Sequence, residues 1–168
     1  TSGATEANNA TIAHFAHANP SKYCVISSIE HPSVEAPANR HFSNRVLKVP
    51  VSPDGTVSLP DLEEILAKGN ICIVSIMAAN NETGVIQPCP EVSSLCRKYN
   101  VLFHCDAVQW FGKHPAKEIV LLGDIVVGSA HKFGAPKGTG FLRTGKRARQ
   151  LQMQNGGPQE QGRRAGTE

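Results

Sequence analysis

The sequence lacks any long hydrophobic run. No apolar stretch approaches the roughly 20 residues that a membrane-spanning helix requires, and no charged-then-apolar leader precedes Thr1. We therefore expect no membrane partner and a cytoplasmic location, with the lumen of an organelle as the alternative. Because the chain opens on Thr-Ser-Gly-Ala-Thr-Glu and closes on Ala-Gly-Thr-Glu, we also expect a fragment of a longer protein.

Paired cysteines and a strong charge of one sign are missing as well. The five cysteines form an odd set without a Cys-x-x-Cys pair, which argues against a disulfide framework and a structural zinc site and favours a reducing compartment. The formal net charge is only +3, and the basic stretch at residues 143–164 contains no aromatic residue. We therefore expect neither a bound metal nor a nucleic-acid partner.

What the sequence does contain is an alternation of apolar runs and helical stretches. Its 168 residues are enough for one domain with its own core. Strands are predicted at residues 24–29, 46–51, 71–77, 101–105, 125–127 and 140–142. Helices are predicted at residues 6–17, 33–42, 59–68 and 91–99, the second of them despite Pro37. A capping box of Ser58 and Asp61 starts the third helix, and residues 52–55 form a turn. This order predicts an α/β domain over residues 1–168, with a mainly parallel sheet flanked by helices.

Polar side chains follow the predicted strands at the points where the strands end. Ligands bind beyond the carboxyl ends of the strands in open parallel sheets, so these side chains should converge on one edge. They are Glu30, His31, Asn80, Asn81, Glu82, Asp106, Gln109, Ser129, His131 and Lys132. Hydrogen-bond donors, carboxylates, imidazoles and a lysine gathered in this way predict a site for a polar aromatic cofactor.

Four of these residues suggest specific chemistry, each with an ordinary alternative. Lys132 follows an apolar strand, where burial would disfavour its charged form and prepare it to form an imine; the alternative is a surface lysine in a loop. Asp106 could pair with a pyridinium nitrogen or cap a helix. Gln109 could donate to a phenolic oxygen or merely occupy the same turn. His31 could lie over an aromatic ring or move protons, although a lone histidine is more often structural.

A phosphate cradle is predicted at the start of the first helix. Ala4 and Thr5 follow Gly3 there, and free backbone amides beside a hydroxyl group favour an anion. Ser129 and His131 could complete this site from the loop that carries the lysine. Simple helix capping is the alternative.

Several motifs occur together in one order and spacing. They are Thr-Ser-Gly-Ala-Thr-Glu-Ala-Asn-Asn at residues 1–9, Glu-His at 30–31, Asn-Asn-Glu-Thr-Gly at 80–84, His-Cys-Asp-Ala-Val-Gln at 104–109, and His-Lys at 131–132 with Pro-Lys-Gly at 136–138. In these motifs the sequence resembles the cysteine desulfurase and selenocysteine lyase group of class V aminotransferase-like, fold-type I pyridoxal 5'-phosphate (PLP) enzymes. The resemblance runs nearly end to end and implies the large domain of such an enzyme. The N-terminal segment and the C-terminal small domain would then be absent.

The resemblance implies PLP as the cofactor and gives each matching residue a role. The phosphate would be bound by Ala4, Thr5, Ser129 and His131. The ring would be contacted by His31, which stacks on it, by Asp106 at its nitrogen and by Gln109 at its phenolic oxygen. Asn81 would help to place cofactor and substrate, and Lys132 would carry the cofactor as a Schiff base. In a homodimer, which the family pattern implies, Thr167 would reach the phosphate bound by the other copy.

The implied reaction is removal of sulfur from L-cysteine, which gives alanine and an enzyme persulfide. Lys132 would move the α-proton, with His31 as a second catalytic residue. In the family a cysteine on a later loop takes the sulfur and an arginine of the later domain binds the substrate carboxylate, and neither matches a residue of this chain. The segment alone is therefore expected to be inactive, and a sulfur acceptor or an iron–sulfur scaffold protein is the expected partner.

Two other functions stay open. A different class V enzyme, such as a selenocysteine lyase acting on L-selenocysteine, an aminotransferase or a kynureninase-like hydrolase, would share the PLP cradle. A catalytically silent scaffold would keep the fold without turnover. A mobile-loop cysteine in the downstream sequence would favour desulfuration, and cofactor absorption that depends on Lys132 would separate a PLP-binding protein from a silent scaffold.

Overall fold

The computed structural model describes residues 1–154 and 156–159. These residues form a six-stranded sheet in the order β2-β1-β3-β4-β5-β6. The strands are β1 (Tyr23–Ser27), β2 (Val46–Val49), β3 (Ile71–Ser75), β4 (Leu102–Asp106), β5 (Ile125–Ser129) and β6 (Gly140–Thr144). The first five strands pair in parallel, and β6 pairs antiparallel with β5. The predicted mainly parallel sheet is therefore confirmed.

Helices cover both faces of this sheet. They are α1 (Ala4–Ala18), α2 (Pro32–Phe42), α3 (Leu59–Ala67), α4 (Cys89–Lys98) and α5 (Ala116–Leu122). The capping box is present, since Ser58 precedes α3 and its hydroxyl oxygen accepts a hydrogen bond from the backbone N–H of Asp61. The turn at residues 52–55 is also present, closed by a 2.8 Å hydrogen bond from Gly55 N–H to the carbonyl of Ser52. Helix α5 was not predicted, because only Ile119 of its seven residues is buried and its sequence shows little periodicity.

The core has two layers, one on each side of the sheet. Apolar side chains of α1 and α2 pack on one face, and those of α3, α4 and α5 pack on the other. Alternate residues of β1 point into opposite layers: Cys24 and Ile26 face α1 and α2, whereas Val25 faces the other side. A sheet buried on both faces explains why its strands read as nearly continuous apolar runs.

Helix α2 forms in spite of a proline in its interior. Pro37 removes one backbone donor from the helix. The helix nevertheless buries Val34, Ala38 and Phe42 completely against the α1 layer. Burial of a large apolar side chain stabilises by about 1.5–3 kcal/mol, which offsets the lost hydrogen bond. Within the described ranges, no helix combines the length and apolar character needed to span a membrane.

Candidate active site

A cavity of about 490 Å³ lies at the carboxyl ends of the parallel strands. Nine of the ten residues to which the family resemblance gives a role line it: Ala4, Thr5, His31, Asn81, Asp106, Gln109, Ser129, His131 and Lys132. The tenth, Thr167, lies outside the described residues. Glu30, Asn80 and Glu82, which were also predicted at this edge, do not line it. The volume falls within the range of roughly 300–1,000 Å³ that is usual for small-molecule sites. Parallel strand ends thus bring together side chains that are up to 128 positions apart in the sequence, from Ala4 to Lys132.

The start of α1 forms one wall of the cavity. Gly3 caps the helix without a side-chain hydrogen bond to its first N–H groups. The backbone N–H of Gly140, the first residue of β6, donates to the carbonyl of Thr1 at 2.7 Å. The start of β6 therefore lies beside the residues that precede α1. A methyl group on Gly140 would lie only 2.6 Å from Cα of Gly3. This close approach brings the uncapped helix start next to the end of β5, where Ser129 lies.

His31 lies at the boundary between β1 and α2. Its Nδ1 accepts a hydrogen bond of 3.1 Å from the backbone N–H of Ser33, which makes His31 the N-cap of α2. The Ser33 hydroxyl lies 2.8 Å from the same nitrogen. Since a nitrogen that accepts from a backbone N–H cannot carry its own hydrogen, the neutral form of the ring has its hydrogen on Nε2. The capping role fixes the ring at the cavity wall.

Asp106 ends β4 and is almost fully buried, with 6% of its surface exposed. Burial raises the pKa of its carboxyl group, whereas hydrogen bonds from Val108 N–H and the Asn8 side chain, together with the charge of His31, lower it. Oδ1 accepts from Val108 N–H at 3.1 Å and Oδ2 accepts from Nδ2 of Asn8 at 2.8 Å. The sequence alternative of a helix cap is wrong, because the segment that follows is a series of turns and no helix begins until α5.

Lys132 lies in a 3₁₀ turn (Ala130–Phe133) directly after β5. Its side chain is exposed at the cavity, so the predicted burial of this amine is wrong. The loop is nevertheless fixed, since Ala130 N–H donates to the carbonyl of Thr139 at 3.0 Å. The hydroxyl of Ser129 and Nδ1 of His131 form a 2.9 Å hydrogen bond. The strand end therefore presents an amine, a hydroxyl and an imidazole side by side.

The remaining predicted residues lie at the rim of the same cavity. Asn81 is exposed, and its neighbour Asn80 organises the turn by accepting hydrogen bonds from the backbone N–H groups of Glu82 and Thr83, each at 2.9 Å. Gln109 is partly buried, and its Oε1 accepts from Nζ of Lys113 at 3.1 Å.

None of the five cysteines lines the cavity. All five thiols are buried and free. Burial raises the pKa of Cys72 to about 11 and that of Cys96 to about 12. Because the thiolate is the reactive form, these two residues are poor nucleophiles at neutral pH.

Ser33 and Asn8 are among the residues of the site that were not predicted from the sequence. Ser33 lines the cavity, and Asn8 lies behind it with no exposed surface. Asn8 contacts both Ser33 and Asp106. The available signal was that Asn8 shares a helix face with buried Thr11, Ile12 and other core residues, where an amide needs a partner.

Known proteins resemble this chain along its whole length. Residues 1–161 match the family model described as Aminotransferase class-V. The cysteine desulfurase IscS of Dictyoglomus turgidum is 40% identical over 174 residues, an alignment that covers 100% of this chain and 43% of the relative. A mitochondrial cysteine desulfurase of Candida albicans is also 40% identical, over 99% of this chain and 35% of the relative. The X-ray structure of a NifS-like protein from Rickettsia africae superimposes with a TM-score of 0.84 at 36% identity, over 100% of this chain and 46% of that chain.

These comparisons confirm the predicted fold class and the recognised family. The chain spans less than half the length of each of these three relatives. Class V aminotransferases and cysteine desulfurases are PLP-dependent enzymes. Since the family model accounts for all but the last seven of its 168 residues, the chain belongs to the aminotransferase class-V family.

Proposed function

We propose that this chain is the PLP-binding large domain of a cysteine desulfurase, an enzyme that takes sulfur from L-cysteine and releases alanine. The observation that carries the proposal is the single cavity lined by nine residues chosen from the sequence alone. Relatives named as cysteine desulfurases that match the chain over nearly its full length support the reaction type. The domain assignment for residues 1–168 belongs to the same proposal.

The residues of the cavity fit PLP in size and in chemistry. PLP has a phosphate, a ring nitrogen, a phenolic oxygen and an aldehyde, and each needs a different partner. The uncapped start of α1 offers free N–H groups to an anion. A buried carboxylate, an amide side chain and a lysine amine are available for the other three groups, from Asp106, Gln109 and Lys132.

The phosphate site combines groups from two segments. Ala4 and Thr5 supply helix N–H groups and a hydroxyl, and Ser129 and His131 supply side chains from the end of β5. In a homodimer, Thr167 of each copy would add a contact to the phosphate held by the other. The exposed His31 ring would cover one face of the cofactor, and Asn81 would orient cofactor and substrate at the rim.

When bound, PLP supplies an electron sink that weakens the bonds around Cα and Cβ of an amino acid. Asp106 would face the ring nitrogen and hold a proton there, with its carboxyl group positioned by hydrogen bonds from Val108 N–H and the Asn8 side chain. Lys132 would hold the cofactor through its amine, and the same amine would move the α-proton of the substrate. The exposure of Lys132 at the cavity gives this side chain the freedom that both tasks need.

The reactive cysteine that takes the sulfur is proposed to lie outside this chain, since the four thiols with raised pKa values are kept in the thiol form by burial. A sulfur-acceptor or iron–sulfur scaffold protein would then receive the sulfur. Five unpaired thiols suit a reducing compartment, either the cytoplasm or, as for the mitochondrial relative, an organelle.

Cofactor binding is tested by adding PLP to the protein and recording its visible absorption. We expect a band from the lysine-bound cofactor in the natural protein and its loss in Lys132→Ala. Lys117→Ala, which removes an exposed lysine of α5, should keep the band. A band that survives Lys132→Ala would refute the proposed role of this residue.

The reaction is tested on the whole protein with L-cysteine, PLP and a reductant. We expect equal amounts of alanine and sulfide. Transamination would contradict the desulfurase assignment and favour an aminotransferase. Absence of both PLP binding and turnover would favour a silent scaffold.

A further inference from the structure

A chain of hydrogen bonds connects His31 to Asp106 through two buried side chains. Nδ2 of Asn8 donates to Oδ2 of Asp106 at 2.8 Å and to the Ser33 hydroxyl oxygen at 2.9 Å. That hydroxyl in turn lies 2.8 Å from Nδ1 of His31. Asn8 has no exposed surface and Ser33 has 8%, so water has little access to these bonds.

The donor and the acceptor of each hydrogen bond follow from the groups at the two ends of the chain, Asp106 and His31. An ionised carboxylate only accepts, so the nitrogen of the Asn8 amide must face Asp106. The second hydrogen of that nitrogen goes to the oxygen of Ser33, which leaves the Ser33 hydroxyl hydrogen for Nδ1 of His31. All the bonds therefore point outward from Asn8, and the chain has one self-consistent arrangement.

Asn8 is a costly choice for packing alone. Its Oδ1 is buried and has no hydrogen-bond partner among the described residues. An unsatisfied buried polar group costs about 1–3 kcal/mol, whereas an aliphatic side chain of similar size would fill the same space without that cost. The amide is therefore suited to connecting its two neighbours more than to filling the core.

We propose that Asn8 is a positioning residue that couples the Asp106 carboxylate to the His31 imidazole through Ser33. One residue of α1 thereby fixes both the carboxylate at the ring nitrogen and the imidazole over the ring face. The significance for catalysis rests on the proposed function, but the coupling itself does not require the cofactor. Because one amide nitrogen donates both bonds, the coupling is positional: the bond to Asp106 holds the amide in the orientation that presents its second hydrogen to Ser33, so loss of the carboxylate releases the amide and weakens the bonds toward His31.

The test is a double-mutant cycle read at His31 by ¹⁵N NMR of the imidazole in the cofactor-free protein. A weaker hydrogen bond to Nδ1 moves its resonance downfield. We expect Asn8→Leu and Asp106→Ala each to produce a downfield shift, and the double variant to shift no further than Asn8→Leu alone. Asn9→Leu changes the exposed neighbouring asparagine and should leave the His31 resonance in place.

The competing explanation is direct electrostatic coupling, since the charge of His31 also acts on Asp106. Additive shifts, in which Asp106→Ala has the same effect with and without Asn8, would establish direct coupling alone and overturn the proposal. An unchanged resonance in both single variants would overturn it as well. If Asn8→Leu does not fold, Ser33→Ala breaks the same chain at its other link and must abolish the effect of Asp106→Ala. Because PLP is absent, failure here leaves the cofactor assignment intact, and loss of PLP binding leaves this coupling intact.

Discussion

Glu30 places a second carboxyl group close to Asp106, inside the protein. Only 7% of its surface is exposed, and its Oε1 accepts from the Ser27 hydroxyl at 2.5 Å and from Met77 N–H at 2.9 Å. Its Oε2 has no partner among the described residues. Burial raises the pKa of Glu30 to about 8, to which the charge of Asp106 adds, although the bonds from Ser27 and Met77 act in the opposite direction. Glu30 is therefore largely protonated at neutral pH and adds little negative charge beside Asp106.

This raised pKa makes stability depend on pH in a defined window. A carboxyl group whose pKa is higher in the folded state stabilises fully below its ordinary value of 4.5, and that contribution is lost as the pH rises to about 8. Glu30→Gln keeps an acceptor for Ser27 and Met77 and removes the titration. As the pH rises between these values, we expect the unfolding free energy of this variant to increase relative to that of the natural protein, by at most about 1.4 kcal/mol per pH unit. Denaturant unfolding at several pH values measures this difference, and parallel curves would disprove it. Glu118→Gln, at an exposed position on α5, is the control.

At the scale of elements, the antiparallel strand β6 closes the cavity against α1. Gly140→Ala should be destabilising by about 1–3 kcal/mol, the usual cost of overpacking, because the new methyl group would lie 2.6 Å from the backbone of Gly3. PLP affinity should fall with it, since the start of α1 must move. Gly145→Ala, just after the other end of β6, meets its nearest atom at 3.3 Å and should have the smaller effect on both. Thermal unfolding and PLP titration of the two variants test this; equal effects would show that the contact at Gly3 does not position α1.

The elements could be predicted from the sequence wherever apolar periodicity was strong, and their ends less well. The strand predicted to run to residue 77 ends at Ser75, although backbone hydrogen bonds to β4 continue at Ile76 and Ala78. The short α5 gave too little pattern to find. Strand ends did indicate which side chains meet, because parallel topology fixes where they lie. Exposure of Lys132 and the contacts of Asn8 depend on how loops and helices pack, which no local pattern contains.

At the scale of the whole molecule, a second buried group opposes the pH dependence of Glu30. His104 in β4 has no exposed surface, its Nδ1 lies 2.8 Å from the Ser75 hydroxyl oxygen, and its Nε2 has no partner among the described residues. Burial lowers the pKa of His104 to about 4. A histidine with a depressed pKa stabilises above its ordinary value of 6.5, and this contribution is lost as the pH falls toward 4. Glu30 thus favours the folded state at low pH and His104 favours it at high pH.

The two contributions overlap between pH 4.5 and 6.5. In this window, unfolding causes His104 to take up a proton and Glu30 to release one. Their slopes have opposite signs and similar maximum size, so they largely cancel in the natural protein. His104→Asn retains an amide group that can bond to Ser75, and it removes the acid-sensitive ring. We expect this variant to lose stability with rising pH in this window relative to the natural protein, and Glu30→Gln to gain it. Both differences should be absent from a double variant. Its unfolding free energy should change with pH in parallel with that of the natural protein across the window. If the double variant instead departs by as much as either single variant, the two groups do not balance each other and other buried groups set the pH dependence of the fold.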